Sequence, residues 1–321
     1  MRFAIFGVGA VGGYFGGRLA QAGEDVTFIA RGDHLNVLRT KGLRLDSVKG
    51  DVILSPVAVL DDPAKVGPVD VVLLGIKTWQ VPAAAKAIQP LIGRDTIVLP
   101  LQNGVEAATQ LSEVLGDENI CGGLAKIVCF LDSPGHIRHT AMDPYIGFGE
   151  LDNRRSERVE TLLGTLKNAG IAAEIMPDIK AALWQKFLFV VSWGGVGAIT
   201  RAPIGVIRTL PQTRRMLEQS MQEILDVSRS HQIDLPEDIV SRTLDFMDTL
   251  PPNGTTSMQR DIAEGRPSEI EAWNGAVVRL GRAAGVSVWL HAFIYDSLLP
   301  LEQKARGELQ FPTWRSGIGI L

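Results

Sequence analysis

Gly7-Val8-Gly9-Ala10-Val11-Gly12 stands directly behind an apolar, strand-like run, Arg2 to Phe6, and ahead of a helix-like stretch from Tyr14 that stops on Gly23. Few folds carry a strand into a helix through that spacing. The first glycine permits a tight turn, the second lets backbone N–H groups come close to a ligand, and the third lets the helix pack against the strand. Unpaired N–H groups and the helix dipole at such an N-terminus favour an anion. A second strand-like run, Asp25 to Ala30, follows, and nineteen residues after Gly12 comes Arg31, where many folds of this kind place an acid. An acid would accept a hydrogen bond from a ribose 2′-hydroxyl, whereas a planar guanidinium suits a 2′-phosphate. The pattern predicts a dinucleotide site for NADP(H), with Gly7, Val8, Gly9, Ala10, Val11 and Gly12 at the pyrophosphate and Arg31 at the 2′-phosphate.

A secretory signal is the rival reading of the N-terminus, because Met1-Arg2 precedes a largely apolar stretch to Gly17. Six glycines between Gly7 and Gly17 suit a phosphate turn better than an apolar signal core. The longest uncharged apolar run elsewhere, Phe187 to Ile199, spans thirteen residues and is interrupted by Gly194, Gly195 and Gly197, short of a bilayer's thickness. A length of 321 residues and 45% hydrophobic content suffice for two domains with their own cores. The formal charge of −4 gives no global reason to expect a nucleic acid or an anionic membrane, so an anionic substrate needs locally placed cations. These features together predict a soluble cytoplasmic enzyme. Cys121 and Cys129, without C-x-x-C spacing, read as reduced core thiols.

Short apolar runs alternate with helical stretches through the first half, as in an α/β parallel sheet. Val52 to Leu54, Asp70 to Ile76 and Thr96 to Leu101 read as strands, the last two so apolar that both faces should be buried, with a helix-like stretch Pro82 to Leu91 between them. Ligands of doubly wound sheets bind beyond the carboxyl ends of the strands. There the chain places Lys77-Thr78-Trp79-Gln80 and Gln102-Asn103-Gly104-Val105-Glu106, making Lys77 and Asn103 candidate ligand contacts. From about 122 to 178 the pattern suggests additional sheet at the edge of this domain. His136 and His139 lack the acid or cysteine partners of a metal site, and no metal is expected.

At Pro177-Asp178 the character changes to helices, which divides the chain into a Rossmann-type domain, residues 1–178, and an all-α domain, residues 179–321. Lys186 enters the otherwise apolar helix from Lys180 to Val190, and low dielectric would pull its pKa down and make it a better acid near neutral pH. Thr213 to His231 and Pro236 to Leu250 read as core-facing helices. Ser257 is a candidate N-cap for a helix beginning at Met258, and Ser268 for one beginning at Glu269.

Taken in order, G-x-G-A-x-G at residue 7, Arg31, Lys77 with Trp79-Gln80, Gln102-Asn103-Gly104, Trp184-x-Lys186, and Ser257-Met258 with Glu269-Ile270 resemble the ketopantoate reductases, or 2-dehydropantoate 2-reductases, across nearly the whole chain. That resemblance implies NADPH-dependent reduction of a 2-oxo acid to a 2-hydroxy acid in a cleft between a Rossmann domain and a helical one. Carried over by motif, Lys77 and Asn103 hold the cofactor near the reacting centre and Lys186 is the general acid. Glu269 holds that lysine or a substrate hydroxyl, and Asn103 and Ser257 help to bind the substrate. The partner it implies is a small anionic 2-oxo acid, and a homodimer is compatible with the apolar helical domain.

One departure stands out. Family members usually carry substrate-facing asparagines one and two helical turns beyond the lysine, where this chain has Val190 and Gly194. Two amides become an isopropyl group and, on sequence grounds, an open space, which suggests a less polar and roomier pocket unless a residue such as Ser192 compensates. A bulkier or less polar 2-oxo acid, and a non-catalytic NADP(H)-binding sensor, are the alternative functions. No role is assigned to the tail, Phe311 to Leu321.

Overall fold

The computed structural model describes residues 1–312; 313 to 321, which hold most of that tail, lie outside the described residues. The chain forms two compact units, Met1–Lys186 and Phe187–Leu321, which meet within the helix that begins at Ile179.

In the first unit, β1 (Arg2–Phe6), α1 (Ala10–Gln21), β2 (Asp25–Ile29) and α2 (Gly32–Lys41) follow one another. Then come β3 (Leu43–Ser47), β4 (Val52–Leu54), β5 (Ala58–Leu60), β6 (Val71–Leu74), α3 (Val81–Ala87), β7 (Ile97–Pro100) and α4 (Ala107–Leu115). The unit continues with the long hairpin β8 (Cys121–Ser133) and β9 (His136–Glu150), then α5 (Glu157–Asn168), β10 (Ala172–Ile175) and the start of α6 (Ile179–Thr200). Five strands pair in parallel in the order β5-β2-β1-β6-β7. Their side chains alternate between two cores: Phe3, Ile5, Val71, Leu73, Ile97 and Leu99 enter one, while Ala4, Val72, Leu74 and Val98 enter the other. That period of two explains why the strands read as unbroken apolar runs.

Val52–Leu54 does not belong to this sheet. It pairs antiparallel with β3, and Ala58–Leu60 supplies the outer parallel strand instead. A three-residue apolar run carries no information about its partner. β3 and β4 join β8, β9 and β10 in a second, mixed sheet, where β9 lies parallel to β3 near its start and to β10 near its end. The segment beyond residue 122 is therefore mostly a sheet of its own rather than an extension of the first. Helix α1 packs on both: a Cβ at Gly16 would lie 2.7 Å from Ile5 and Phe28, and one at Gly17 2.7 Å from Leu45. The later glycines of the opening stretch thus serve packing, not phosphate.

His136 and His139, an odd number of residues apart on β9, project to opposite faces. His136 Nε2 meets Asp46 Oδ2 at 2.8 Å, and His139 Nδ1 meets Ser47 Oγ at 2.8 Å. Cys121 and Cys129 are free thiols, and burial raises both, Cys129 to about 12.

The second unit holds the rest of α6, α7 (Ile204–Thr209), α8 (Pro211–Ser230), α9 (Ile239–Thr249), α10 (Ser257–Ala263), α11 (Asn274–Ala284) and α12 (Trp289–Ala305). Helix α6 is longer than the thirteen-residue run implied, because Lys180, Gln185 and Lys186 lie within it. Its 22 residues are long and apolar enough to cross a membrane by length and composition, and 56% of the most apolar window is buried inside the fold. Gly194, Gly195 and Gly197 accept close neighbours: a Cβ at each would lie 2.6 Å from Trp273, Asn274 and Gln259 respectively.

Candidate active site

The turn between β1 and α1 is built by three glycines from different segments. Gly7 has φ +93°, and a Cβ there would strike Ile76 at 2.4 Å; a Cβ at Gly12 would lie 2.2 Å from Gly7 O; one at Gly75, beyond β6, would lie 2.6 Å from Gly12 Cα. Gly75 was not singled out by sequence, where it passed as the end of an apolar run. Gly9 is different. Its φ of −71° and ψ of −165° suit any residue, and a Cβ there would meet only Gly75 O, at an ordinary 3.5 Å. Among the described residues, nothing in the packing requires glycine at position 9, so the space beside it is open to a ligand. Gly9 is also the N-cap of α1 and offers no side-chain cap, which leaves the first-turn N–H groups to bind an anion. These residues fit a pyrophosphate.

Arg31 lies two residues beyond β2, as the exposed N-cap residue of α2, with extended backbone (φ −136°, ψ 163°). Beyond β6, Gln80 Oε1 accepts the N–H of Lys77 at 3.0 Å, and the Lys77 ammonium lies 5.8 Å from the Trp79 ring centre. Beyond β7, buried Gln102 donates Nε2 to Leu74 O at 2.9 Å and to Ile76 O at 3.1 Å, so its amide fastens the ends of the two strands together. Asn103 is half-buried in the next position, ahead of Gly104 at φ +132°. Four of the sequence-predicted positions, Gly9, Arg31, Lys77 and Asn103, therefore follow the carboxyl ends of four neighbouring places in one parallel sheet: the turn after β1, the end of β2, and the loops after β6 and β7.

Lys186 belongs to the same unit. Ile179 and Leu183 pack against Gly122 of β8, and one turn further the half-buried Lys186 donates Nζ to Ala125 O at 2.6 Å. The 179, 183, 186 spacing is one stripe of a helix laid on β8.

Ser257 and Glu269 lie in the second unit. Thr256, not Ser257, caps α10, its Oγ1 accepting Gln259 N–H at 3.2 Å, and Ser257 is the first helical residue. Adjacent hydroxyl residues share the same capping preference, so sequence could not separate them. Ser268 likewise does not open a helix. Its N–H and hydroxyl donate to buried Glu302 at 2.9 and 2.6 Å, Arg306 backs that carboxylate at 2.7 Å, and α11 begins only at Asn274. This buried knot holds the segment that carries Glu269, itself 6% exposed.

Two expectations about the α6 face are corrected. The space beside Gly194 is not open: Trp273, 1% exposed, occupies it, with Cζ3 2.6 Å and Thr256 Oγ1 3.2 Å from where a Cβ would stand. Ser192 is unavailable as a substitute for an amide. It is fully buried and accepts the Ser220 hydroxyl at 2.9 Å, in a core network with His291 and Asn274, where burial pushes His291 down to about 4. Val190 is half-buried.

Two family descriptions match the chain, Ketopantoate reductase PanE/ApbA over residues 3–153 and Ketopantoate reductase PanE/ApbA C terminal over residues 178–302. A 2-dehydropantoate 2-reductase from Nostoc sp. is 31% identical over 314 residues, covering 95% of this chain and 96% of that one. The crystal structure of a PanE/ApbA family ketopantoate reductase from Ralstonia eutropha, 30% identical, superposes with a TM-score of 0.87 over 95% of this chain and all of that one. A D-mandelate dehydrogenase solved with NADH and anilino(oxo)acetate, 23% identical, shares the fold with a TM-score of 0.87 over 95% of this chain and 99% of that one. The glycine turn, the parallel sheet and the helical second unit thus have their counterpart in known proteins, and the chain belongs to the ketopantoate reductase family of NADP-dependent oxidoreductases acting on CH–OH groups.

Proposed function

We propose that the protein reduces the ketone of a 2-oxo acid to a 2-hydroxy acid, with ketopantoate as the first substrate to test and pantoate as its product. Within the family, the observation that carries this reading is Lys186, an ammonium on an apolar helix whose Nζ is aimed by the Ala125 carbonyl at 2.6 Å. NADPH, when bound, supplies the hydride. Gly7, Val8, Gly9, Ala10, Val11 and Gly12 hold its pyrophosphate, Arg31 its 2′-phosphate, and Lys77 and Asn103 its reactive end. Negative charge grows on the ketone oxygen during reduction, and the Lys186 ammonium stabilises that charge and gives up a proton to it. Ser257 and Glu269 bind the polar groups of the substrate.

The cradle is tested by Gly9→Ala. Its Cβ meets nothing closer than 3.5 Å among the described residues, so thermal stability stays within about 2 °C of wild type while the Kd for NADPH rises about tenfold or more. Loss of stability instead would show that glycine serves the fold.

Val190 favours a second reading, a less polar 2-oxo acid. It neighbours an aromatic cluster in which Phe189 lies 5.6 Å from Trp193 and 5.4 Å from Phe246, and Phe246 is 48% exposed. A substrate hydroxyl facing Val190 rather than an amide loses about 1–3 kcal/mol, roughly 5- to 150-fold in kcat/KM. Steady-state NADPH oxidation across 2-oxo acids with polar, branched aliphatic and aromatic side chains separates the readings. Ketopantoate ahead of all others by more than about 100-fold removes the second, and the reverse order removes the first. Tight NADPH binding with no turnover on any member would point to a sensor.

A further inference from the structure

We propose that His34 is a positioning residue that fixes the pyrophosphate turn relative to the Arg31 end of α2, and so sets the preference for NADPH over NADH. The proposal rests on the cofactor assignments made above for Gly9 and Arg31.

His34 is the third residue of α2, less than one helical turn beyond Arg31. Its Nδ1 accepts the N–H of Gly135, in the β8–β9 turn, at 3.2 Å. An imidazole that accepts at Nδ1 carries its proton on Nε2. That nitrogen is buried and makes no hydrogen bond of ordinary geometry among the described residues, and the main chain of Val8, in the middle of the glycine turn, acts on the same ring. Burial holds the ring below the usual histidine value, which keeps it neutral and Nδ1 able to accept.

The groups around the ring are themselves fixed. Gly135 O accepts Arg44 N–H at 2.8 Å, and a Cβ at Gly135, φ +74°, would lie 2.8 Å from Val37 of α2. Val8 is 3% exposed and packs with Ile137 of β9 over Gly13. One half-buried ring therefore touches three segments that no local hydrogen-bond ladder joins: the pyrophosphate turn, the first turn of α2 and the β8–β9 turn. The 2′-phosphate and the pyrophosphate belong to one ligand, so an arginine held at the wrong distance from the turn cannot serve both at once. Without the ring, the end of α2 bearing Arg31 is free to shift against the turn, and the interaction that suffers most is the one NADH does not make.

The test is the Kd of NADPH and of NADH, by quenching of tryptophan fluorescence, for wild type, His34→Leu and His34→Asn, with thermal unfolding alongside. Leucine keeps the bulk and loses the acceptor; the Asn side-chain oxygen sits near the position of Nδ1 and keeps it. The expected result for His34→Leu is an NADPH Kd raised about tenfold with the NADH Kd changed less than about twofold, and for His34→Asn a recovery to within about threefold of wild type. Parallel weakening of both cofactors, or lower thermal stability with an unchanged NADPH to NADH ratio, overturns the proposal. Should His34→Leu not fold, His34→Gln, whose oxygen is one carbon too far out to replace Nδ1, takes its place with the same expectation. If Arg31 does not read the 2′-phosphate, wild type binds both cofactors equally and Arg31→Ala leaves the NADPH Kd unchanged. That outcome removes the Arg31 assignment and the role of His34 with it, whereas a clear wild-type preference that His34→Leu leaves intact removes only the latter.

Discussion

Lys186→Ala lowers kcat about 10³-fold and changes the Kd for NADPH less than about twofold. A positioned general acid contributes on the order of 10² to 10⁴ in rate, and this ammonium adds electrostatic stabilisation of the oxygen it protonates. The proposed binding groups for the cofactor lie elsewhere, at the glycine turn, Arg31 and the loops after β6 and β7, so ground-state affinity has no reason to fall. The local backbone survives the change: Nζ donates to Ala125 O, and β8 keeps its antiparallel pairing with β9 on either side of that residue. Single-turnover NADPH oxidation with ketopantoate, beside a fluorescence titration of NADPH, separates the two quantities. An equal loss in both would remove Lys186 from the chemistry and place it among the binding residues. Lys186→Arg sharpens the test, because a guanidinium keeps the charge but scarcely gives up its proton, so rate remains low if proton transfer is the main contribution.

The parallel sheet was legible because β6 and β7 are buried on both faces and so read as unbroken apolar runs, and because the glycine turn is a local pattern joining consecutive elements. The second sheet was not. β3 finds its parallel partner β9 far along the chain, as when Arg44 pairs with His136, and no local pattern in a three-residue run such as Val52–Leu54 selects one partner over another. The same distinction runs through the candidate site. Gly7, Gly9, Gly12 and Arg31 form a spacing, whereas His34 depends on Gly135, 101 residues away, and Gly75 on Gly12. At Gly194 the sequence shows a missing side chain and suggests a hole. What fills the hole is Trp273, a residue outside any helical period that could announce it.

That packing decides what an asparagine at position 194 would do. Gly194→Asn destabilises the protein by about 3 kcal/mol and brings no gain on ketopantoate, although it restores a residue the family resemblance leads one to expect. The new Cβ would stand 2.6 Å from Trp273 Cζ3, 3.0 Å from Cε3 and 3.2 Å from Thr256 Oγ1, before any amide atom is added. Trp273 is 1% exposed and Thr256 caps α10, so neither gives way without disturbing the segment that carries Ser257. Glycine is a poor helix former, and its replacement returns only about 0.5 kcal/mol of helix propensity against that overpacking. Gly194→Ala, with the Cβ alone, costs less, about 1–2 kcal/mol, and Val190→Asn, at a half-buried position, costs less than Gly194→Asn. Urea unfolding of the three variants gives the ranking. In a Trp273→Leu background the cost of Gly194→Asn shrinks by at least about 1 kcal/mol if the indole is the obstacle, since directly touching residues are not additive. An unchanged cost there would place the obstacle at Thr256 or in the helix itself. An amide on this face of α6 can then be restored at Val190 alone, and Val190→Asn is the variant in which kcat/KM for ketopantoate should rise.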